Sequence, residues 1–229
     1  MNDHNNLDLT LIMASIVHDV KNSLGLIQHQ VEDMVPQIRN DNPEVAVQLQ
    51  QLSLEAGRIN HGLIHMLGLY RLKEGMLSPI DYECFVLVVL KEVRTKFISS
   101  LEVLNVELTI DQHDPDMIWH FDQALVDGIL SNVITNAIRY TKSKLMFSTY
   151  EENGYLVIQI KDDGNGYPQT MIDCADPKTQ MNYQTGSTGL GLYFSSQIAQ
   201  MHQIEGKKGY IELSNDSKTG GAIFRLFLP

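Results

Sequence analysis

Cysteine is almost absent from this chain, with Cys84 and Cys174 the only two. They share no CxxC spacing and have no histidine pair beside them, which excludes a zinc-finger site and a disulfide framework and fits a reducing compartment, the cytoplasm. Basic residues are scarce too: 17 lysines and arginines face 28 acids, for a formal net charge of -11. A nucleic-acid surface or an anionic membrane is therefore a poor main partner. Long apolar runs are missing, the longest spanning Cys84 to Leu90, far below the roughly 20 residues of a membrane-crossing helix. The N-terminal MNDHNNLDLT lacks a signal-peptide pattern, so the expectation is a cytoplasmic chain, neither anchored nor exported. There is no internal repeat and no low-complexity tail.

What is present is enough for a real core: 43% of 229 residues are hydrophobic, suiting one large domain or two small ones. Met13, Val17, Val20, Leu24, Ile27, Val31, Met34 and Ile38 alternate in steps of four and three, the seam of a long packing helix. After a break at 40–43 a second seam runs through Leu49, Leu52, Ala56, Ile59, Leu63, Met66 and Tyr70. Two such helices make a hairpin, which cannot cover two seams of this length by itself. A homodimeric four-helix bundle is the economical solution, and docking on the rest of the chain is the competing one.

Around 73–79 the periodicity stops, dividing a domain at 1–76 from another at 77–229. In the second, the spacing predicts helices over 85–101, 123–141 and 190–201, with Asp122 capping the middle one, and strands over 105–110, 117–121, 144–150, 155–161, 210–214 and 222–228. The expected class is α+β: a helical hairpin, then an α/β sandwich with helices on one face of a mixed sheet.

Four segments carry chemistry. In SIVHDVKNSLG, His18 follows a seam residue at the edge of the helix, with Asn22 and Gly25 on the same face. In LSNVITNAIRYT, Asn132, Asn136, Arg139 and Tyr140 fall along one helical side. Two mid-helix asparagines are poor helix formers; an amide carbonyl can ligate a hard cation such as Mg2+, and Arg139 can face phosphates. In VIQIKDDGNGY, a strand ends in a DxGxG turn where Asp162 can accept a hydrogen bond from an exocyclic amine, and Gly164 and Gly166 permit close backbone approach. In TGSTGLGL, the turn containing Gly186, Thr188, Gly189, Leu190 and Gly191 leads into a helix whose N–H groups can meet phosphate, without the pattern of a P-loop. Taken singly, these read equally well as a surface histidine, solvated amides, a hairpin turn and a helix start.

In this order and at these separations the segments resemble the H, N, G1 and G2 boxes of two-component sensor histidine kinases, over nearly the whole chain. The resemblance implies a dimerisation and phosphotransfer hairpin followed by a Bergerat-type ATP-binding domain. It makes His18 the phosphoacceptor, Asp19 its activating neighbour, and Asn22 the residue that positions water for dephosphorylating a partner. Asn136 becomes the Mg2+ ligand, Asp162 the adenine contact, the glycines the backbone cradle, and Asn132, Arg139 and Tyr140 supporting contacts to nucleotide. Gyrase-type relatives carry a glutamate where Asn132 stands, so His18 is the implied nucleophile. The implied partner is a response-regulator receiver domain, with a sensor protein acting in trans because no sensor segment is recognised before His18. Ser187 replaces a common glycine, and 171–184 lacks the phenylalanine pattern of the family's F box.

The competing function is a non-catalytic phosphotransfer adaptor with a degenerate ATP domain; a third reading makes phosphatase activity the chief one. His61 and His65, four apart on the second helix, are read as two solvated histidines rather than a metal pair.

Overall fold

The structure, a computed structural model, describes the backbone of residues 3–112, 114–175 and 189–229 and the side chains within these from Ser15 on, apart from 174, 175 and 189. The chain divides into two compact units, Met1–Leu77 and Ser78–Pro229.

The first unit is a hairpin of α1 (Asp3–Ile38) and α2 (Pro43–Lys73). The side chain of Asn42 accepts a hydrogen bond from the Val45 N–H, and Pro43 sits in the first turn, where its missing N–H costs nothing. Its interior is made of Val17, Val31 and Val35 from α1 and of small or polar residues from α2: Ala46, Gln50, Ser53, Ala56, Gly57 and His65. Gln28 reaches across to donate to the Ser53 carbonyl. The expected seams are therefore split. Val17 and Val31 face inward, whereas Ile27 and Met34 of α1 and Leu52, Ile59 and Met66 of α2 are exposed; the Met13 side chain lies outside the described residues.

The second unit is the expected sandwich. A five-stranded mixed sheet runs in the order β2 (Glu107–Gln112), β4 (Lys144–Glu152), β5 (Tyr155–Asp162), β9 (Ala222–Leu228), β8 (Tyr210–Asn215). β2 and β4 are parallel and the other neighbours antiparallel. Alternation sends Leu108, Leu145, Phe147, Ile158, Ile160, Leu213, Phe224 and Leu226 to one buried face. There they meet α3 (Val86–Val103), α4 (Gln123–Tyr140) and α6 (Gly189–Met201). Asp122 caps α4 as expected, accepting from the Leu125 N–H at 3.0 Å, and its other oxygen accepts from the Ile80 N–H at 2.9 Å.

Elements that the periodicity left out are short. β1 (Tyr82–Phe85) lies just before the expected third helix, taking only its first residue, Phe85, and pairs antiparallel with β3 (Ile118–Phe121). The α5 helix (Gln169–Ala175) and the two-residue strands β6 (Gln203–Ile204) and β7 (Lys207–Lys208) complete the unit. His202, which carries no sequence signal, is buried at the end of α6, its Nδ1 3.0 Å from the Ile198 carbonyl and its Nε2 accepting from the Asp122 N–H at 3.2 Å.

Candidate functional site

On the hairpin, His18 lies on the exposed side of α1, with 70% of its side-chain surface open to solvent. Its Nδ1 is 3.4 Å from Asp19 Oδ1, and the Asn22 amide nitrogen is 3.3 Å from Nδ1 and 3.5 Å from Nε2. The i, i+4 spacing puts Asn22 beside the ring. These are long contacts on an open surface, so the ring is oriented yet free to meet an incoming group.

His61 and His65 correct the sequence reading of two solvated histidines. His61 is half-buried and His65 buried, because their face of α2 turns toward α1, and the rings stack 6.2 Å apart. Burial, and then the neighbouring His61, lower the His65 pKa to about 4, so it is neutral at pH 7. No group of three or more metal-binding side chains exists among the described residues.

In the second unit a cavity of about 280 Å³ opens between α4, the end of β5, α5 and α6. Val133, Ala137, Met171, Leu192 and Ala222 give it apolar walls, and Asn136, Tyr140, Asp162 and Gly166 of the expected set line it. Asp162 is buried, and its Oδ1 accepts from the N–H groups of Gly164 and Ala222 at 2.8 and 2.9 Å. The carboxylate is thereby fixed with its second oxygen available to a donor on a bound ring. Gly164 is required by close packing: a Cβ there would lie 2.3 Å from the Tyr140 carbonyl oxygen. Gly166 has φ +77°, and a Cβ would meet the Gly220 carbonyl oxygen at 2.5 Å.

The other expected residues are placed differently. Asn132 does not line the cavity; it is buried against α6, donating to Ser195 Oγ at 3.4 Å, and a Cβ on Gly191 would lie 2.7 Å from its amide oxygen. Arg139 is exposed at the end of α4, its guanidinium 5.8 Å from the Tyr140 ring centre. Gly189 and Leu190 begin α6, with Leu190 exposed. Gly186, Ser187 and Thr188, and most of the segment 171–184, lie outside the described residues.

Asp163 has no assigned part in the sequence reading, yet it ties the end of β5 to the turn after α4. It accepts from Thr141 Oγ1, from the Lys142, Ser143 and Lys144 N–H groups, and from Ser143 Oγ, at 2.6 to 3.1 Å. Burial alone would raise its pKa, but these donors outweigh it and hold the carboxyl well below the usual carboxylate range.

A mixed sheet covered by helices on one face, with a glycine turn and a fixed carboxylate beside a mainly apolar cavity, defines an α/β sandwich. Comparison with known proteins narrows the class. Residues 121–229 match the family described as histidine kinase-, DNA gyrase B- and HSP90-like ATPase. Sensor protein SrrB of Staphylococcus aureus strain N315 is 25% identical over 211 residues, 88% of this chain and 36% of that protein. SrrB of strain NCTC 8325 matches to the same extent, so the chain spans about a third of the length of these relatives. Among solved structures, the Acinetobacter baumannii histidine kinase AdeS superposes with a TM-score of 0.59 at 21% identity, covering 88% of this chain and 94% of that one. The catalytic domain of histidine kinase ThkA gives 0.54 at 19% identity, covering 66% and 95%. Residues 121–229 are thus similar to the ATPases of this family, most of the chain is similar to the sensor protein SrrB, and its fold is that of the solved histidine kinases.

Proposed function

We propose that the chain is an ATP-dependent protein-histidine kinase whose hairpin dimerises and carries the phosphoacceptor His18. The observation that carries the proposal is the pairing, in one chain, of an exposed histidine flanked by Asp19 and Asn22 with a cavity lined by Asp162.

In the second unit the free oxygen of Asp162 accepts from the exocyclic amine of adenine, the apolar walls hold its faces, and Asn136 on α4 meets the phosphate end. Its amide suits a hard cation as one ligand in a shell otherwise made of phosphate oxygens and water, the usual way Mg2+ is held; Mg2+ would neutralise charge on the phosphates. On the hairpin, we assign the Nδ1 proton of His18 to the Asp19 carboxylate, leaving the Nε2 lone pair as nucleophile. Asn22 leaves its resting contact with Nε2 as the bond from Nε2 to the γ-phosphorus forms and the bond to the β,γ-bridging oxygen breaks, releasing ADP. Asp19 then offsets the charge on the phosphorylated ring. A receiver domain of a response regulator is the proposed acceptor, and a sensor protein acting in trans the proposed input.

The exposed heptad residues support the dimer. Ile27 and Met34 on α1, and Leu52, Ile59 and Met66 on α2, recur every seven residues on faces the hairpin does not cover. A second copy covers both stripes with the same residues.

The test is incubation of the full chain with γ-labelled ATP and Mg2+. Acid-labile, base-stable label is expected in the wild type and none in His18→Ala; equal label in both sinks the assignment of His18. The position of Asn22 beside His18 supports a second activity, dephosphorylation of the partner. An Asn22→Ala variant should slow loss of phosphate from a loaded receiver domain about tenfold, the scale of one lost hydrogen bond to the attacking water. An unchanged rate removes Asn22 from that role.

A further inference from the structure

The cavity wall contributed by Gly166, Tyr167 and Pro168 is held from outside by a residue that belongs to none of the four motif segments. Asn215, the last residue of β8, presents its side-chain amide edge-on to the backbone of Tyr167. The Tyr167 N–H donates to Asn215 Oδ1 at 2.7 Å, and Asn215 Nδ2 donates to the Tyr167 carbonyl at 2.9 Å. Both backbone groups of Tyr167 are thereby satisfied by one side chain, as they would be by a neighbouring strand. The turn it grips is pressed on Asn215 as well: a Cβ at Gly166 would lie 2.7 Å from the Asn215 amide carbon and oxygen.

Asn215 is itself seated. Its neighbour Asp216 pairs with Lys161 of β5, and the turn from Asp216 returns to Gly221, whose backbone packs against the Asp162 carbonyl so closely that a Cβ would be 1.9 Å away. The end of β8 therefore meets both ends of the motif turn, at Asp162 through Gly221 and at Tyr167 through Asn215. Without the amide, the loop 163–168 would be held at its Asp162–Asp163 end and at Pro168, whose carbonyl accepts from the Met171 and Ile172 N–H groups, and the backbone of Tyr167 between them would lose its tie to β8 and could drift from the adenine position.

We propose that Asn215 is a positioning residue for nucleotide binding: its amide fixes the Gly166–Pro168 wall at the spacing an adenine ring requires. This rests on the reading of the cavity as the ATP site. No other common side chain reproduces the grip at this length: aspartate keeps the acceptor but sets a carboxylate against the Tyr167 carbonyl oxygen, and alanine removes both bonds.

The experiment titrates the full chain with ATP and Mg2+ by calorimetry and measures label incorporation against ATP concentration, for wild type, Asn215→Ala and Asn215→Asp, at a temperature where all three are folded by circular dichroism. Loss of both bonds in Asn215→Ala, and of one bond with a carboxylate set against the Tyr167 carbonyl in Asn215→Asp, predicts an affinity loss of about tenfold in each variant, with a matching rise in KM and a maximal rate within about twofold of wild type. Wild-type affinity in both variants overturns the inference and leaves the ATP reading intact. A maximal rate that falls as far as the affinity also overturns it, because Asn215 would then act on the whole domain and not on the wall. No ATP binding by the wild type overturns the reading of the cavity itself.

Discussion

Among single residues, His65 carries a measurable consequence. In the unfolded chain it titrates near pH 6.5 and in the folded hairpin near 4, so the unfolded state takes up the proton first. The hairpin keeps this contribution in full above pH 6.5, loses it progressively down to about pH 4 and levels off below. A gap that wide corresponds to roughly 3 kcal/mol as an upper figure. Denaturant melts followed by helical circular dichroism at pH 7.5 and 4.5 should show a larger fall for wild type than for His65→Leu; equal falls would place the buried charge elsewhere. The sequence hid this residue because two histidines four apart look alike whether their face meets water or another helix. Asp163 and Asn215 escaped for a different reason. Their partners lie about 20 and 48 residues away, and no local pattern encodes a bond to a distant backbone group. That Asn136 and Asp162 share one cavity and that His18 stands on an open helix face follow from short segments whose order along the chain is informative.

For elements, the long and strongly periodic pieces were read to within one or two residues: α4 begins at Gln123 behind its Asp122 cap, and β9 runs Ala222–Leu228 as expected. β1 was lost because Phe85 and the apolar residues after it look continuous, although the Val86 N–H bonds to the Met117 carbonyl and β1 to β3. The α4–α6 contact is the element pair that bears most directly on the cavity, since α4 supplies Asn136 and α6 supplies Leu192. Gly191 touches Asn132 with no room for a methyl group, and Asn132 is buried, so it has little room to yield. Gly191→Ala should therefore destabilise the second unit by about 1–3 kcal/mol. Adding Asn132→Ala should return part of that loss, a coupling that a double-mutant cycle of melting free energies reads directly. Strict additivity would mean that the two helices do not press on each other there.

For the whole molecule, the hairpin's economy is the main point. An interior of valines, alanine, glycine, serine and glutamine buries little large apolar surface, while the bulky side chains Ile27, Met34, Leu52, Ile59 and Met66 stay outside. In the proposed dimer, stability of the first unit is tied to association. Ile59→Asp removes apolar burial twice in a symmetric pair. The expected cost is about 4 kcal/mol per dimer, on the order of a thousandfold in dissociation constant. Sedimentation over a concentration series should show the variant monomeric where wild type is dimeric; identical profiles would assign the stripes to something other than a second copy.

Trp119 adds a practical consequence. It is the chain's one tryptophan, placed on β3 in the second unit, with its indole N–H bonded to the Pro229 carbonyl at 3.0 Å. Tryptophan fluorescence, excited selectively over tyrosine, is thus an optical channel for the second unit alone, sensitive to release of the segment after β9, whereas helical ellipticity sums over both units. Recording both signals in one titration separates the melting of the helical hairpin from that of the α/β unit without cutting the chain or attaching a dye.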